Sequence, residues 1–139
     1  LSWGAPAYVA AELDALRADG VRHLVLDLRR SPGGSLPVAL ELAAQLQAWE
    51  GKLSVLVDAG TASSAEALAA LLQDAGRAPI VGAPTCGKGV ARALRLADGR
   101  VTHAQDYRVV RAGGRPLSAG VAPDHLTSRA LRAARQLHA

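Results

Sequence analysis

Three glycine-bearing segments contain the residue types that can carry out chemistry in this chain. They are Pro32-Gly33-Gly34, Gly60-Thr61-Ala62-Ser63 and Gly87-Lys88-Gly89. Each segment follows an apolar stretch that is typical of a buried strand. In open α/β sheets, functional groups collect beyond the carboxyl ends of the strands. We therefore expect the three segments to converge on one cleft.

Ser63 is a candidate nucleophile because it stands between a predicted strand and a predicted helix, whose N-terminal dipole favours developing negative charge. The same residues have a simpler interpretation. The run from Ser63 to Glu66 matches the Ser-x-x-Glu capping box, in which the serine accepts from a backbone N–H and the glutamate reaches back. Taken alone, this pattern favours a helix cap over a nucleophile.

Lys88 is a candidate general base. If its ammonium loses water, its pKa falls from the reference value of ~10.4 and the neutral amine can accept a proton. Gly87 and Gly89 would permit a close approach of the backbone there. An ordinary solvated lysine is the alternative interpretation.

Gly33 and Gly34 stand just before a predicted helix, so their N–H groups could hold an anion or an oxyanion. An ordinary Pro-Gly turn explains the same residues without a function. Residues 82–88 also satisfy the G-x-x-x-x-G-K part of a phosphate-binding loop. However, Gly89 replaces the Ser or Thr that would bind Mg²⁺, and the following residues predict a strand where a helix is required. We therefore expect no nucleotide binding.

The histidines and the single cysteine offer weaker alternatives. A Ser-His-Asp arrangement with Asp106 or Asp124 stays open, but no histidine lies in a glycine-rich turn and none has the spacing of a metal site. Cys86 excludes an internal disulfide and is more typical of a small packing residue than of a nucleophile. The histidines are His23, His103, His125 and His138.

Composition indicates one globular domain over residues 1–139, because 50% of the residues are hydrophobic and 20% are charged. The net charge of +4 comes from scattered arginines without a dense run, and aromatic residues make up only 3%. Nucleic-acid binding is therefore not expected. No apolar stretch reaches the ~18 residues of a membrane span.

Hydrophobic periodicity predicts strands that alternate with helices, which is typical of a largely parallel α/β sheet. Ser35 is expected to cap the second helix and Gly51 to end it. Antiparallel hairpins are expected around Asp98-Gly99 and Gly113-Gly114. The predicted helices cover 6–19, 36–49, 64–75 and 128–137, and the predicted strands cover 23–28, 53–57 and 78–81.

Four motifs, in order, resemble those of the C-terminal processing, or tail-specific, serine proteases. Ser63 and Lys88 are separated by 25 positions, as in that family. Two C-terminal segments, 113–117 and 120–124, extend the resemblance, which covers roughly residues 8–126. The four motifs are residues 24–29 with 32–34, residues 60–63, residues 72–78 and residues 87–89.

This resemblance implies a ClpP/crotonase-like spiral with a mainly parallel sheet and C-terminal antiparallel hairpins. It implies that Ser63 is the nucleophile, that Lys88 is the base, and that an acyl-enzyme forms. The oxyanion hole would use the N–H of Ser64 with that of Gly33 or Gly34. No cofactor is implied. The implied substrates are the C-terminal tails of proteins or peptides, and the implied location is the cell envelope, the periplasm or the secreted fraction.

The sequence departs from the family pattern at several points. Arg92 stands where many members place a glutamine that orients the lysine. Arg92 is therefore a candidate third catalytic position, and its charge could lower the pKa of Lys88 or displace its amine. Ser31 replaces the usual asparagine, Cys86 replaces the usual phenylalanine, and the family's PDZ domain has no counterpart in these residues.

Two alternatives stay open at this point. An inactive domain of the same fold that binds peptides or partners would leave Lys88 too far from Ser63. A crotonase-like acyl-CoA enzyme would need an acidic general base in the cleft and no Ser-Lys pair.

Overall fold

A computed structural model describes the backbone of residues 1–97 and 100–137, and the side chains of residues 1–90 and 106–137. Helices and strands alternate over the first two thirds of the chain. The helices are α1 (Ala5–Ala18), α2 (Leu36–Gln47), α3 (Ser64–Asp74) and α4 (Ala130–Gln136). The strands are β1 (His23–Asp27), β2 (Lys52–Val57), β3 (Ile80–Gly82), β4 (Val90–Ala97), β5 (Arg100–Arg108) and β6 (His125–Leu126).

Four parallel strands form the main sheet in the order β1-β2-β3-β6. Strand β2 lies inside this sheet and is buried on both faces from Leu53 to Val57, as expected where helices cover a parallel sheet on two sides. Leu53, Val55 and Val57 pack with α2 and α3 in the larger core, whereas Leu56 packs with α4 on the opposite face. The alternation follows from the two-residue period of a strand. The expected α/β fold with a mainly parallel sheet is confirmed.

The predicted helix and strand boundaries agree with the observed ones to within about two residues. Strand β6 was not predicted. It has only two residues, His125 and Leu126, and both are exposed, so they carry no hydrophobic periodicity that a sequence pattern could reveal.

The predicted caps of α2 are wrong, although its predicted bounds are close to the observed ones. Ser35 occupies the N-cap position but makes no side-chain cap hydrogen bond. Its N–H instead donates to the carbonyl of Leu1, at 3.2 Å. At the other end, the guanidinium of Arg77 donates to the carbonyls of Leu46, at 3.1 Å, and Gly51, at 2.8 Å. A distant side chain therefore satisfies carbonyls that we expected a glycine cap to satisfy.

The antiparallel part of the fold is simpler than predicted. Strands β4 and β5 form the expected hairpin, and its predicted Asp98-Gly99 turn lies outside the described residues. The second predicted hairpin is reduced to one antiparallel bridge, between Val110 and Pro116. It encloses a 3₁₀ turn, Ala112–Gly114, where Gly113 has a φ of 79°.

Over the described residues, we find no helix with both the length and the apolar character needed to cross a membrane.

Candidate functional site

Three loops that follow neighbouring parallel strands meet at one end of the main sheet. The N–H of Ala62 donates to the carbonyl of Ser31 at 2.9 Å, and the N–H of Cys86 donates to the carbonyl of Thr61 at 3.0 Å. Thr61 is fully buried, and its hydroxyl donates to the carbonyl of Leu28 at 2.9 Å. The three glycine-bearing segments therefore converge, as the sequence predicted.

Ser63 lies in the turn from the second of these loops into α3. Its backbone has a φ of 57° and a ψ of −126°, a conformation that costs a residue with a Cβ atom about 1–3 kcal/mol. A sharp strand-to-helix turn of this kind exposes a side chain at the top of a sheet. Ser63 is half-buried, and its hydroxyl makes no side-chain cap hydrogen bond.

Glu66 holds the strained turn in place. Its carboxylate accepts a hydrogen bond from the N–H of Ser63 at 2.8 Å, which is the reciprocal half of the predicted capping-box arrangement. The same carboxylate accepts from the N–H of Lys88 at 2.8 Å, from the N–H of Gly87 at 2.6 Å and from the hydroxyl of Thr85 at 2.5 Å. Glu66 is fully buried. One buried acceptor thus fixes both the serine turn and the lysine loop.

Only part of this role for Glu66 was predicted from the sequence. The capping box predicted its bond to Ser63 but not its bonds to the loop at residues 85–88. A signal was present, because Glu66 is the only charged residue in the run of small and apolar residues from Ser64 to Ala70, and the structure buries that whole run. A charge at such a position must be hydrogen-bonded from elsewhere in the fold.

Lys88 lines the same cleft as Ser63 but differs from the expectation of a dehydrated amine. Its side chain is exposed, and no hydrogen bond joins its Nζ to the Oγ of Ser63. The physical reason is that the cleft is open to water on the side of Lys88. The structure therefore fixes the lysine backbone near the serine turn while leaving the amine solvated.

Gly33 lies directly against the serine turn. A Cβ atom at Gly33 would lie 2.6 Å from the carbonyl of Ala62, 2.8 Å from the nitrogen of Ser64 and 3.0 Å from the Cβ of Ser63. Only glycine fits this approach, and the φ of +87° favours glycine as well. Among the described residues, the N–H groups of Gly33, Gly34 and Ser64 have no acceptor. These donors are available to an anionic group beside Ser63.

The converging loops open into a cleft of about 550 Å³. Its wall is mostly apolar and includes Ser63 and Lys88. No carboxylate lines it among the described residues. The cleft is lined by Trp3, Gly34, Ser35, Leu36, Pro37, Ser63, Ser64, Ala67, Lys88, Val90, Tyr107, Val109 and Leu117.

Comparison with known proteins gives the family. The family model for peptidase family S41 matches residues 40–127, which include Ser63, Glu66 and Lys88. The chain belongs to peptidase family S41. It is similar to carboxyl-terminal-processing proteases, as the sequence motifs implied.

Two relatives and two solved structures illustrate the similarity of this S41 chain. The carboxyl-terminal-processing protease of Picosynechococcus sp. is 34% identical over 126 residues, which cover 70% of this chain and 30% of the relative. Carboxyl-terminal-processing peptidase 2, chloroplastic, of Arabidopsis thaliana is 32% identical over a gapped alignment of 149 positions, which covers 87% of this chain and 29% of the relative. The chain therefore spans less than a third of the length of these curated relatives.

Among solved structures, the photosystem II D1 C-terminal processing protease is 28% identical with a TM-score of 0.74, and the match covers 91% of this chain and 40% of that one. A lipoprotein from Streptococcus agalactiae is 18% identical with a TM-score of 0.70, and the match covers 99% of this chain and 62% of that one. At that identity, the lipoprotein supports the fold alone.

Hydrogen bonds tie the end of α3 to the C-terminal part of the chain. Arg111 is buried, and its guanidinium bonds to the carboxylate of Asp74 and to the Oε1 of Gln73 at 2.8 Å. This guanidinium beside Asp74 holds the pKa of that carboxyl below its ordinary value of 3.8. The amide of Gln73 also donates to the Oδ1 of Asp124 at 2.9 Å. The end of α3 is thus tied to the segment that follows β5 and to the start of β6.

None of the remaining candidates whose side chains are described lines this cleft. Arg92 lies in β4 opposite Asp106, and its side chain is outside the described part of the structure. His23 and His125 are exposed and do not line the cleft, while the side chains of His103 and His138 are not among those described. Within the described ranges, no cluster of potential metal ligands is found.

The loop that resembles a phosphate-binding loop continues differently from that motif. After Lys88 the chain enters strand β4 at Val90, as the sequence predicted. A phosphate-binding loop requires a helix at this point, because the N-terminus of that helix faces the phosphates.

Proposed function

We propose that this S41 chain is the catalytic core of an endopeptidase in which Ser63 is the nucleophile and Lys88 is the general base. The observation that carries the proposal is the buried carboxylate of Glu66. It accepts from the N–H groups of Ser63 and Lys88 and so holds both segments at one cleft. A solvated lysine with no function would not need its backbone fixed to the turn that presents Ser63.

The chemistry follows from the groups around Ser63. The neutral amine of Lys88 takes the hydroxyl proton while Oγ forms a bond to the carbonyl carbon of the peptide. The carbonyl oxygen becomes an oxyanion, and the free N–H groups of Ser64 and of Gly33 or Gly34 stabilise it. Collapse breaks the C–N bond, and the leaving amine takes the proton from the ammonium of Lys88.

The ester on Ser63 is then hydrolysed. The amine of Lys88 accepts a proton from a water molecule, whose oxygen attacks the ester carbonyl. Collapse returns the proton to Oγ of Ser63 and releases the new carboxylate. These two steps return Lys88 to the neutral amine. A bound peptide would exclude water from the cleft, and desolvation favours the neutral form of an amine.

The proposed substrates are the C-terminal tails of proteins or peptides. Support comes from the relatives, whose names describe carboxyl-terminal processing. A location in the cell envelope, the periplasm or the secreted fraction stays a prediction, as does a role for Arg92 as a third catalytic residue.

An inactive peptide-binding domain is the second candidate function. Its support is specific, because Lys88 is exposed and does not bond to the hydroxyl of Ser63. The crotonase-like alternative has less support. It needs an acidic base in the cleft, and the described lining residues include none.

Peptide cleavage by matched variants tests the proposal. Ser63→Ala and Lys88→Ala should each remove cleavage, while Ser128→Ala and Lys52→Ala should retain it. Lys52 is the only other lysine in the sequence and is exposed at the start of β2. Mass spectrometry of a rapidly quenched reaction should find the acyl group on Ser63. Cleavage that survives both active-site substitutions would refute the dyad, and binding without cleavage by the unaltered chain would favour the second candidate.

A further inference from the structure

Trp3 is a large apolar side chain that the fold leaves in water at the rim of the cleft. It is 79% exposed, whereas the other tryptophan, Trp49, is 3% exposed. Trp3 nevertheless lines the cleft that contains Ser63 and Lys88. An exposed indole adds little to the core, and tryptophan is prominent among the residues that dominate binding energy at recognition surfaces.

The segment that carries Trp3 is fixed by the same loop that supplies the candidate oxyanion donors. The nitrogen of Leu1 donates to the carbonyl of Gly33 at 2.5 Å, and the N–H of Ser35 donates to the carbonyl of Leu1 at 3.2 Å. Gly34 makes this contact possible, since a Cβ atom there would lie 2.4 Å from the oxygen of Leu1. The position of Trp3 is therefore set by hydrogen bonds two residues away.

A second aromatic residue lines the same cleft. Tyr107, in β5, is 47% exposed. The chain has two tryptophans, two tyrosines and no phenylalanine, so half of its aromatic residues lie on this cleft. Leu36, Val109 and Leu117 add apolar surface to the same wall. Such a wall gains from contact with apolar groups of a ligand and offers little to charged ones.

We propose that Trp3 is a specificity-determining residue, which contacts an apolar side chain of the peptide substrate next to the scissile bond. This inference rests on the proposed function, because it names the side chain that the same site selects. A leucine beside the scissile bond would bury apolar area against the exposed indole, whereas a serine in its place would not. Trp3 acts on binding and takes no part in the proton transfers of Ser63 and Lys88.

Peptide binding to the Ser63→Ala variant of the 139-residue chain tests the inference without requiring catalysis. The probes are a short labelled peptide that carries one leucine and the same peptide with serine in its place. Anisotropy gives the Kd, and intrinsic emission reports Trp3, because Trp49 is already buried. The leucine peptide should bind more tightly and shift the emission to shorter wavelength.

Adding Trp3→Ala should raise the Kd of the leucine peptide about tenfold or more and leave that of the serine peptide nearly unchanged. Trp3→Phe should retain most of the preference. Tyr8→Ala is the matched control, because Tyr8 is 67% exposed but does not line the cleft. An unchanged Kd for the leucine peptide after Trp3→Ala would overturn the inference. In the active chain, the same substitution should raise KM more than it lowers kcat.

The two proposals fail in different ways. If the unaltered chain cleaves peptides and Trp3→Ala has no effect on leucine preference, only the inference about Trp3 is wrong. If leucine preference depends on Trp3 but the unaltered chain cleaves nothing, the proposed peptidase activity is wrong, and Trp3 selects the apolar side chain of a bound peptide without a role in cleavage.

Discussion

Ser63 and Lys88 donate their backbone N–H groups to the same oxygen, Oε2 of Glu66, each at 2.8 Å. The two residues are 25 positions apart in sequence and lie on different loops. A shared buried acceptor fixes the distance between the two backbones more tightly than separate contacts would. The amine of Lys88 can therefore move while its point of attachment does not.

Replacement of Glu66 by glutamine should lower kcat by about a hundredfold, the order of loss that a misplacement of 1 Å can cause. Four donors face the carboxylate, and the NH₂ group of an amide would oppose some of them. Each donor left unsatisfied in the interior also costs about 1–3 kcal/mol of folding free energy. Kinetics of Glu66→Gln should be measured together with the fraction of folded protein at the assay temperature.

Glu41→Gln is the control for charge, because Glu41 is exposed on α2. It should leave kcat and stability near their original values. If Glu66→Gln is folded and as active as the unaltered chain, Glu66 does not position the dyad.

Replacement of Gly33 by alanine should reduce both activity and stability through a steric clash. The new Cβ atom would lie 2.6 Å from the carbonyl of Ala62 and 3.0 Å from the Cβ of Ser63. Gly20→Ala separates this clash from backbone strain. Gly20 has a φ of +71°, and nothing lies within 4 Å of a Cβ atom built there. We expect Gly20→Ala to cost about 1 kcal/mol of stability and no activity. Similar losses for both variants, measured by urea unfolding and peptide cleavage, would contradict the assigned close approach.

The ion pair between Asp74 and Arg111 should make stability depend on pH. Hydrogen bonds from Arg111 lower the pKa of Asp74 below its ordinary value of 3.8. The stabilisation is therefore present above that value and is lost as the pH falls through the lower pKa of the folded state. At pH ~7, Asp74→Asn should unfold at lower urea concentration than the unaltered chain, because it leaves a buried guanidinium with fewer acceptors.

The difference in stability between Asp74→Asn and the unaltered chain should shrink as the pH falls below 3.8. Comparing them at each pH cancels the contribution of other carboxyl groups such as Asp27, whose pKa is also lowered, by its bonds to Arg29. Asp14→Asn is the control, since Asp14 pairs with Arg17 on the exposed surface of α1 and should have a small effect. A difference that grows on acidification would be inconsistent with the assigned pair.

The sequence predicted the parallel sheet because β1, β2 and β3 are short apolar runs, and the segments between them have the hydrophobic periodicity of helices. It also brought Ser63 and Lys88 together, but only through motif order and spacing. The local pattern at Ser63 favoured a helix cap, and the structure contains the half of that arrangement in which Glu66 accepts from the N–H of Ser63. The four-donor role of Glu66 and the exposure of Lys88 could not be predicted, since both depend on where one loop comes to lie against another. Trp3 was missed for the same reason.

Replacement of Ser63 by glycine should stabilise the fold relative to Ser63→Ala while both variants lack activity. Ser63 has a φ of 57°, and alanine keeps the Cβ atom that makes this conformation costly. Glycine relieves the strain, so Ser63→Gly should exceed Ser63→Ala by about 1 kcal/mol in free energy of unfolding. Ala15→Gly, at an exposed position inside α1, should instead lower the free energy of unfolding, since glycine is unfavourable in a helix by about 0.5–1 kcal/mol. Urea unfolding of these variants measures both differences. If Ser63→Gly is the less stable of the pair, the turn stores no strain, and Glu66 holds it in a conformation that the serine already prefers.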